Sequence, residues 1–255
     1  MLKAIAFDLW ETLITGTPGQ TREQETLRLV RIEQVLARRG HQATAFEIHD
    51  AYKALWHRCH ELYWKVDVDV PTRRHIIHFL EALGLDPGAF SEEVLDEIES
   101  AYSIAALDVL PEVVPGAHQA LEALRQLRLS IGLVSNTGRT PGSVLREVLG
   151  RAGLGEYLDA MVFSNEHGAC KPRGSIFEEL CRNLQVEPCD VLFVGDDLYA
   201  DVFGAQRCGM KAVHFMPESK GVAVARPIEH GLTIIPDATI RSLAQLPAVV
   251  SGYLN

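Results

Sequence analysis

Asp8, Asp196, Asp197, Asp201 and Lys171 are the residues whose types and positions lend this chain to covalent or metal-assisted chemistry. Asp8, Ser135, Asn136, Asp196 and Asp197 end short apolar runs, in LKAIAFD (2–8), LSIGLVSN (129–136) and DVLFVGDD (190–197), and Asp201 follows closely. In an open parallel sheet, ligands bind beyond the carboxyl ends of the strands, so polar residues that terminate such runs converge on one crevice. Lys171 reaches the same crevice from the loop after DAMVFSN (159–165). One lysine among several carboxylates is stable only with a further cation or a shared proton. Mg²⁺ is the natural cation for carboxylate oxygens at a small site that also receives phosphate. A carboxylate beside it can attack phosphorus or carbon covalently. Lys171 then holds the nucleophile ionised, while the Ser135 hydroxyl and nearby backbone N–H groups bind the oxygens of the transferring group.

The elements that must position these residues show in the periodicity. The runs above, with MKAVHFM (210–216), have the uninterrupted apolar character of buried parallel strands. From residue 115 they alternate with the helical patterns PGAHQALEALRQL (115–127), SIFEELCRNL (175–184) and ADVFGAQRC (200–208), which is the βαβ signature of a doubly wound sheet. Ser175 with Glu178 predicts a capping box, and Gly209 a helix stop. Between the first strand and residue 110 the rhythm is helical throughout, which predicts an inserted unit with helices near 21–39, 44–65, 71–83 and 91–107. Thr21 with Gln24 and Thr44 with Glu47 read as capping boxes, Gly40 and Gly84 as stops, and Pro71 as a first-turn residue. TIIPDATI (233–240) supplies a final strand, with a closing helix after it. The expected division is a core of residues 1–14 and 111–255 and a cap of residues 15–110.

The 255 residues suffice for one α/β domain with an insert. The formal charge of -10 disfavours nucleic acid, whose phosphates it repels. Five cysteines without CxxC spacing predict no disulfide framework and fit a reducing compartment. No window approaches membrane-spanning length and the N-terminus does not read as a signal peptide, so a cytoplasmic protein without a membrane partner is expected, as monomer or homodimer. No Walker loop or GxGxxG indicates nucleotide binding.

FDLWETL (7–13), VSNTG (134–138), CKPRGSIF (170–177) and VGDDLYADVFGA (194–205) resemble, in order, the four motifs of the haloacid dehalogenase superfamily. The re-entry segment LPEVVPGAHQALEALRQL is also similar to that family. The resemblance implies a Rossmann-like core with a helical cap of the first class, inserted directly after the first motif. It implies Asp8 as nucleophile, Ser135 and Lys171 as catalytic groups that bind and stabilise the transferring group, and Thr12, Ser135, Asn136, Thr137 and Lys171 as the substrate-binding set. Asp8, Asp196 and the Trp10 backbone carbonyl are then the Mg²⁺ ligands, with Asp197 and Asp201 supporting them. Phosphatases of the family place a second aspartate two residues after the nucleophile as general acid and base, where this chain has Trp10. Such proton transfer is worth roughly 10²–10⁴ in rate.

Two branches lack that aspartate. The metal-independent 2-haloacid dehalogenases carry an aromatic residue there but a neutral one at the metal-binding position. The phosphonoacetaldehyde hydrolases carry a small residue and need a cap lysine, for which this chain offers Lys53 and Lys65. The acidic fourth motif outweighs Trp10, because an uncompensated carboxylate beside Asp8 is costly without a metal. The expectation is therefore a Mg²⁺-dependent phosphohydrolase acting on a small phosphorylated substrate. The alternatives are a dehalogenase of a halogenated acid and a non-catalytic member that binds a phospho-ligand. Glu11 is a conceivable proton carrier. Other patterns have blander explanations beside functional ones. Tyr52, Trp56, His60 and Trp64 line one helix face, which packing between helices explains more readily than a pocket. His57, Cys59, His60, His75 and His78 lack zinc-site spacing. Arg22, Arg28 and Arg31 fit either an anion site or a solvated face. Asp197 fits either a ligand or a charge at a helix N-terminus.

Overall fold

A computed structural model describes residues 1–217 and 233–254. Residues 218–232, within the stretch assigned to the core, lie outside the described residues. The strands are β1 (Ala4–Phe7), β2 (Ile14–Thr15), β3 (Glu112–Val113), β4 (Ser130–Ser135), β5 (Ala160–Phe163), β6 (Val191–Gly195), β7 (Lys211–Phe215) and β8 (Ala238–Ile240). The helices are α1 (Pro18–Arg38), α2 (Ala45–Leu62), α3 (Thr72–Ala82), α4 (Glu92–Ser103), α5 (Ala105–Asp108), α6 (Ala117–Gln126), α7 (Gly142–Arg151), α8 (Ser164–His167), α9 (Gly174–Leu184), α10 (Gly204–Arg207) and α11 (Leu246–Ser251).

Six strands form one parallel sheet in the order β5-β4-β1-β6-β7-β8. Side chains of β1 alternate between its two faces, as strand geometry requires. Ile5 and Phe7 join an apolar cluster with Leu121 and Leu124 of α6 and Leu145 and Leu149 of α7. Ala4 and Ala6 join Ile176, Phe177 and Leu180 of α9 and Ala205 of α10 on the opposite face. Burying each such large apolar side chain contributes about 1.5–3 kcal/mol, and helices on both faces explain the continuous apolar runs. β1 lies where the strand order turns, between β4 and β6, so the crevice at the sheet's carboxyl edge opens beside Asp8.

β2 and β3 pair antiparallel and bring together the two passages of the chain that flank the helical insert. α1 to α4 enclose a third apolar cluster of their own, including Ile32, Leu36, Leu55, Ile76, Phe79, Ile98 and Tyr102. Among the described residues no helix is long and apolar enough to cross a membrane.

Several boundaries differ from the sequence expectation. α1 begins at Pro18 because Thr17 caps it: Gln20 N–H donates to Thr17 Oγ1 at 3.2 Å, and Thr17 N–H to Gln20 Oε1 at 2.8 Å. The same pattern recurs at Thr21 and Gln24, but proline at the first helical position settles the choice, and the Thr21 hydroxyl bonds the Thr17 carbonyl instead. The Thr44–Glu47 box forms as expected. Pro71 precedes α3 as its cap residue. The helix expected over 91–107 breaks at Ile104 into α4 and α5. Ser175 is not a cap, since α9 starts at Gly174 and the Ser175 hydroxyl pairs with His167 Nε2 at 3.0 Å. The helix expected over 200–208 is a wide turn over Leu198–Phe203 followed by α10. Gly40, Gly84 and Gly209 end helices with positive φ, as their permissive backbone allows.

Candidate active site

Asp8 follows β1 directly, and its neighbours are fixed by register. Phe7 lies level with Leu133 of β4 and Val194 of β6, so Ser135 and Asp196 emerge beside it at the same edge. Lys171 comes from the loop between α8 and α9 and is 4 % exposed. Its Nζ donates to Asp8 Oδ1 at 2.5 Å and to Asp201 Oδ1 at 2.7 Å. Asp201 reaches under the end of β6 because position 195 is glycine: a Cβ there would overlap the Asp201 side chain. The Asp197 N–H donates to Asp201 Oδ2 at 3.0 Å. Asp8, Lys171 and Asp201, the first two 163 positions apart in sequence and the last two 30, thus form one buried ion cluster.

The electrostatics follow from burial. Asp8 is pushed up to about 7, first by loss of water and then by Asp201 and Asp196, while Lys171 pulls it down. Burial opposes the charge of Lys171, but Asp201 and Asp8 outweigh it and leave the ammonium firmly protonated. One carboxylate oxygen each from Asp8, Asp196 and Asp201 lie within 4.8 Å of one another. Three acidic groups around one ammonium leave an excess of negative charge, and a hard divalent cation with oxygen ligands fits that donor set. Among the described residues no other such acidic, histidine or cysteine group converges, so His57, Cys59, His60, His75 and His78 build no metal site.

The remaining expected residues divide into several environments. Asn136 clamps the Lys171 backbone, accepting its N–H at 2.8 Å and donating to its carbonyl at 3.2 Å. The Ser135 hydroxyl, fully buried, donates to the Asn136 carbonyl at 3.3 Å. Thr12 Oγ1 is buried with no hydrogen-bond partner. Asp197 accepts the N–H groups of Tyr199 and Ala200 at 2.8 and 2.9 Å, capping the turn that carries Asp201. Trp10 packs against the core cluster of α6 and α7. Glu11 holds φ at 61°, and Glu11 Oε2 accepts the Thr15 hydroxyl at 2.9 Å. Arg28 is a structural residue, donating to the Tyr102 carbonyl and the Tyr52 hydroxyl inside the helical insert. Arg31 pairs with Asp108 at 2.7 Å, and Arg22 is exposed.

Sequence reasoning missed Asp69, which joins the helical insert to the loop after β4. Asp69 Oδ2 accepts the Ser164 hydroxyl at 2.5 Å and the Thr137 hydroxyl at 3.2 Å, and its Oδ1 accepts the Trp64 indole N–H at 3.1 Å. It is 3 % exposed, which makes these bonds necessary to its charge. Thr137 is thereby tied to the insert. The usable signal was the strand-end Ser164 in DAMVFSN; nothing marked Asp69 in VDVDV.

Comparison with known proteins extends these observations. Residues 2–209 match the family model of haloacid dehalogenase-like hydrolases. The chain is 30 % identical over 217 residues to the glyceraldehyde 3-phosphate phosphatase of Pyrococcus abyssi, covering 84 % of this chain and 82 % of that protein. It is 27 % identical over 254 residues to the N-acylneuraminate-9-phosphatase of Rattus norvegicus, covering 98 % and 94 %. Among solved structures it superposes on a 2-haloacid dehalogenase from Pseudomonas syringae pv. Tomato with a TM-score of 0.67 at 23 % identity, covering 99 % of this chain and 100 % of that one, a likeness of fold.

Proposed function

Since this chain belongs to the haloacid dehalogenase-like hydrolases, we propose that it hydrolyses a small phosphorylated substrate through a covalent intermediate on Asp8. The observation that carries this reading is the buried Asp8–Lys171–Asp201 cluster at the sheet's switch point, with Asp196 beside it. The relatives named as phosphatases support phosphorus as the centre attacked.

Asp8 attacks the phosphorus atom with a carboxylate oxygen, forming an aspartyl phosphate as the leaving group departs. Lys171, locked on both sides by carboxylates, favours the ionised form of Asp8 against its burial and offsets charge that develops on the transferring oxygens. The Ser135 hydroxyl binds those oxygens, whereas the Thr137 N–H is already committed to Ser164 Oγ at 2.9 Å. Asn136 acts through Lys171, fixing its main chain. Asp201, held by the Asp197 N–H, orients the ammonium. Asp8, Asp196 and the Trp10 carbonyl would hold Mg²⁺, which would supply charge neutralisation for the transferring group. Residues 15–110 act as a cap that closes over the crevice and excludes water. The indole of Trp10 transfers no proton, so the best substrates have leaving groups that need little protonation or bring their own acid.

A panel of phosphoesters, acyl phosphates, phosphonates and 2-haloacids, assayed with and without Mg²⁺, tests the proposal. Mg²⁺-dependent release of phosphate that disappears in Asp8→Asn supports it, and turnover unchanged by that substitution overturns it. Trp10 itself favours a second reading, the metal-independent dehalogenase, and chelator-resistant release of halide from a 2-haloacid would select it.

A further inference from the structure

A cavity of about 330 Å³ lies between the helical insert and the loop that follows β4. Tyr52, Lys53, Trp56, His57 and His60 of α2 line it, facing Arg139 of the loop. The aromatic stripe of α2 is therefore only partly packing. Glu25 is the one carboxylate among the lining residues, and it lies 3.8 Å from His49.

Arg139 is held in an unusual way. Its guanidinium carbon is 4.1 Å from the centre of the Trp56 ring and 5.3 Å from that of Tyr52. Its Nε is buried and has no hydrogen-bond partner. Among the described residues no carboxylate pairs with it, whereas Arg31, Arg38, Arg125 and Arg146 each meet one. Aromatic faces fix a guanidinium in place without consuming its in-plane donors, and a planar fork of N–H groups suits a carboxylate or phosphate. Lys53 adds a second cation at the cavity.

The loop that carries Arg139 also leads directly from the ion cluster. Arg139 stands four residues beyond Ser135, a span of at most about 14 Å of chain. Trp56 packs on Gly138, where a Cβ would meet the ring at 3.5 Å. The same loop, through Asn136, holds Lys171. A small molecule reacting at Asp8 can thus present its far end to Arg139.

We propose that this cavity is the subsite for a second anionic group of the substrate, a carboxylate or phosphate, with Arg139 as its principal ligand and Trp56 as its wall. The inference rests on the phosphohydrolase reading for the identity of the reacting group, and the test separates the two. Glycerol 1-phosphate and 3-phosphoglycerate differ in carrying an alcohol or a carboxylate at the far carbon. For the full chain with Mg²⁺, kcat/KM for both and calorimetric Kd for both are measured. The expected preference for the carboxylate is about 10- to 100-fold, the range of a charge-assisted hydrogen-bonded contact. That ratio falls toward one in Arg139→Met, is partly kept in Arg139→Lys, and drops by less in Lys53→Met, which alters an exposed side chain. A wild-type ratio near one, an unchanged ratio in Arg139→Met, or an equal loss for both compounds overturns the subsite. If neither compound is turned over, the phosphohydrolase reading fails for this class. The binding ratio alone then decides the subsite, with a preference abolished in Arg139→Met supporting it and no preference overturning it. Should Arg139→Met not fold, Arg139→Lys and Lys53→Met carry the same comparison.

Discussion

Replacing Lys171 by methionine removes the only cation that contacts Asp8 and Asp201 in the described structure while keeping most of the side chain's volume. Breaking a buried ion pair by deleting one partner costs about 3–5 kcal/mol, because the abandoned charge stays desolvated. For a chain of this size that is a fall in Tm of about 6–20 °C. The loss depends on pH in a determined direction. Asp8 is already raised to about 7, and losing Lys171 raises it further. A carboxyl whose folded pKa exceeds its unfolded value contributes stability that is present in acid and lost as pH rises through the folded pKa. Protonation therefore substitutes for the missing ammonium at low pH. The deficit between wild type and variant is small near about pH 5 and grows as pH rises above about 7. Thermal unfolding followed by circular dichroism, in chelator so that no divalent ion fills the gap, reads it directly. A variant as stable as wild type at the alkaline end, or a deficit that does not change with pH, would refute the account of the cluster.

Other consequences concern separate parts of the molecule. Trp10→Asp supplies a carboxyl at the family's general-acid position, so hydrolysis of alkyl phosphates should rise by up to about 10² relative to acyl phosphates, measured as the ratio of their kcat values. Mg²⁺ should raise Tm in the metal-free protein, more at alkaline than at acid pH, because proton and metal compete for Asp8; at a hundredfold excess over Kd the gain is about 2.7 kcal/mol. His75 is buried against Trp64 and Tyr102, and burial lowers its pKa despite the opposing pull of Asp69. The unfolded chain takes up that proton first, so stability falls as pH drops below about 6.5, and His75→Phe should flatten that slope in acid denaturation curves.

The core was legible because its local signals agree with one another. β1, β4, β5, β6 and β7 are apolar runs between helical patterns, and their ends delivered Asp8, Ser135 and Asp196 to one edge. Lys171 and Asp201 could be brought near the crevice only by their sequence nearness to strand ends, and their roles came from the resemblance, since a loop lysine and a helical aspartate carry no periodic signal. Helix starts misread at Thr21 and Ser175 share a cause: a capping pattern recurs by chance, and neighbouring Pro18 or Gly174 decides which copy is used. Asp69 and Arg139 were invisible for a different reason. Their meaning comes from contact between the insert and the loop after β4, which sequence spacing does not encode.

The central claim, that Asp8 is the nucleophile, is tested most directly by trapping the intermediate. The enzyme is quenched during turnover of a phosphorylated substrate with Mg²⁺ and treated with borohydride, which reduces an aspartyl phosphate to homoserine, and its peptides are mapped by mass spectrometry. The account predicts homoserine at position 8 and nowhere else. Steady phosphate release with position 8 unmodified, or with another aspartate reduced in its place, would contradict it.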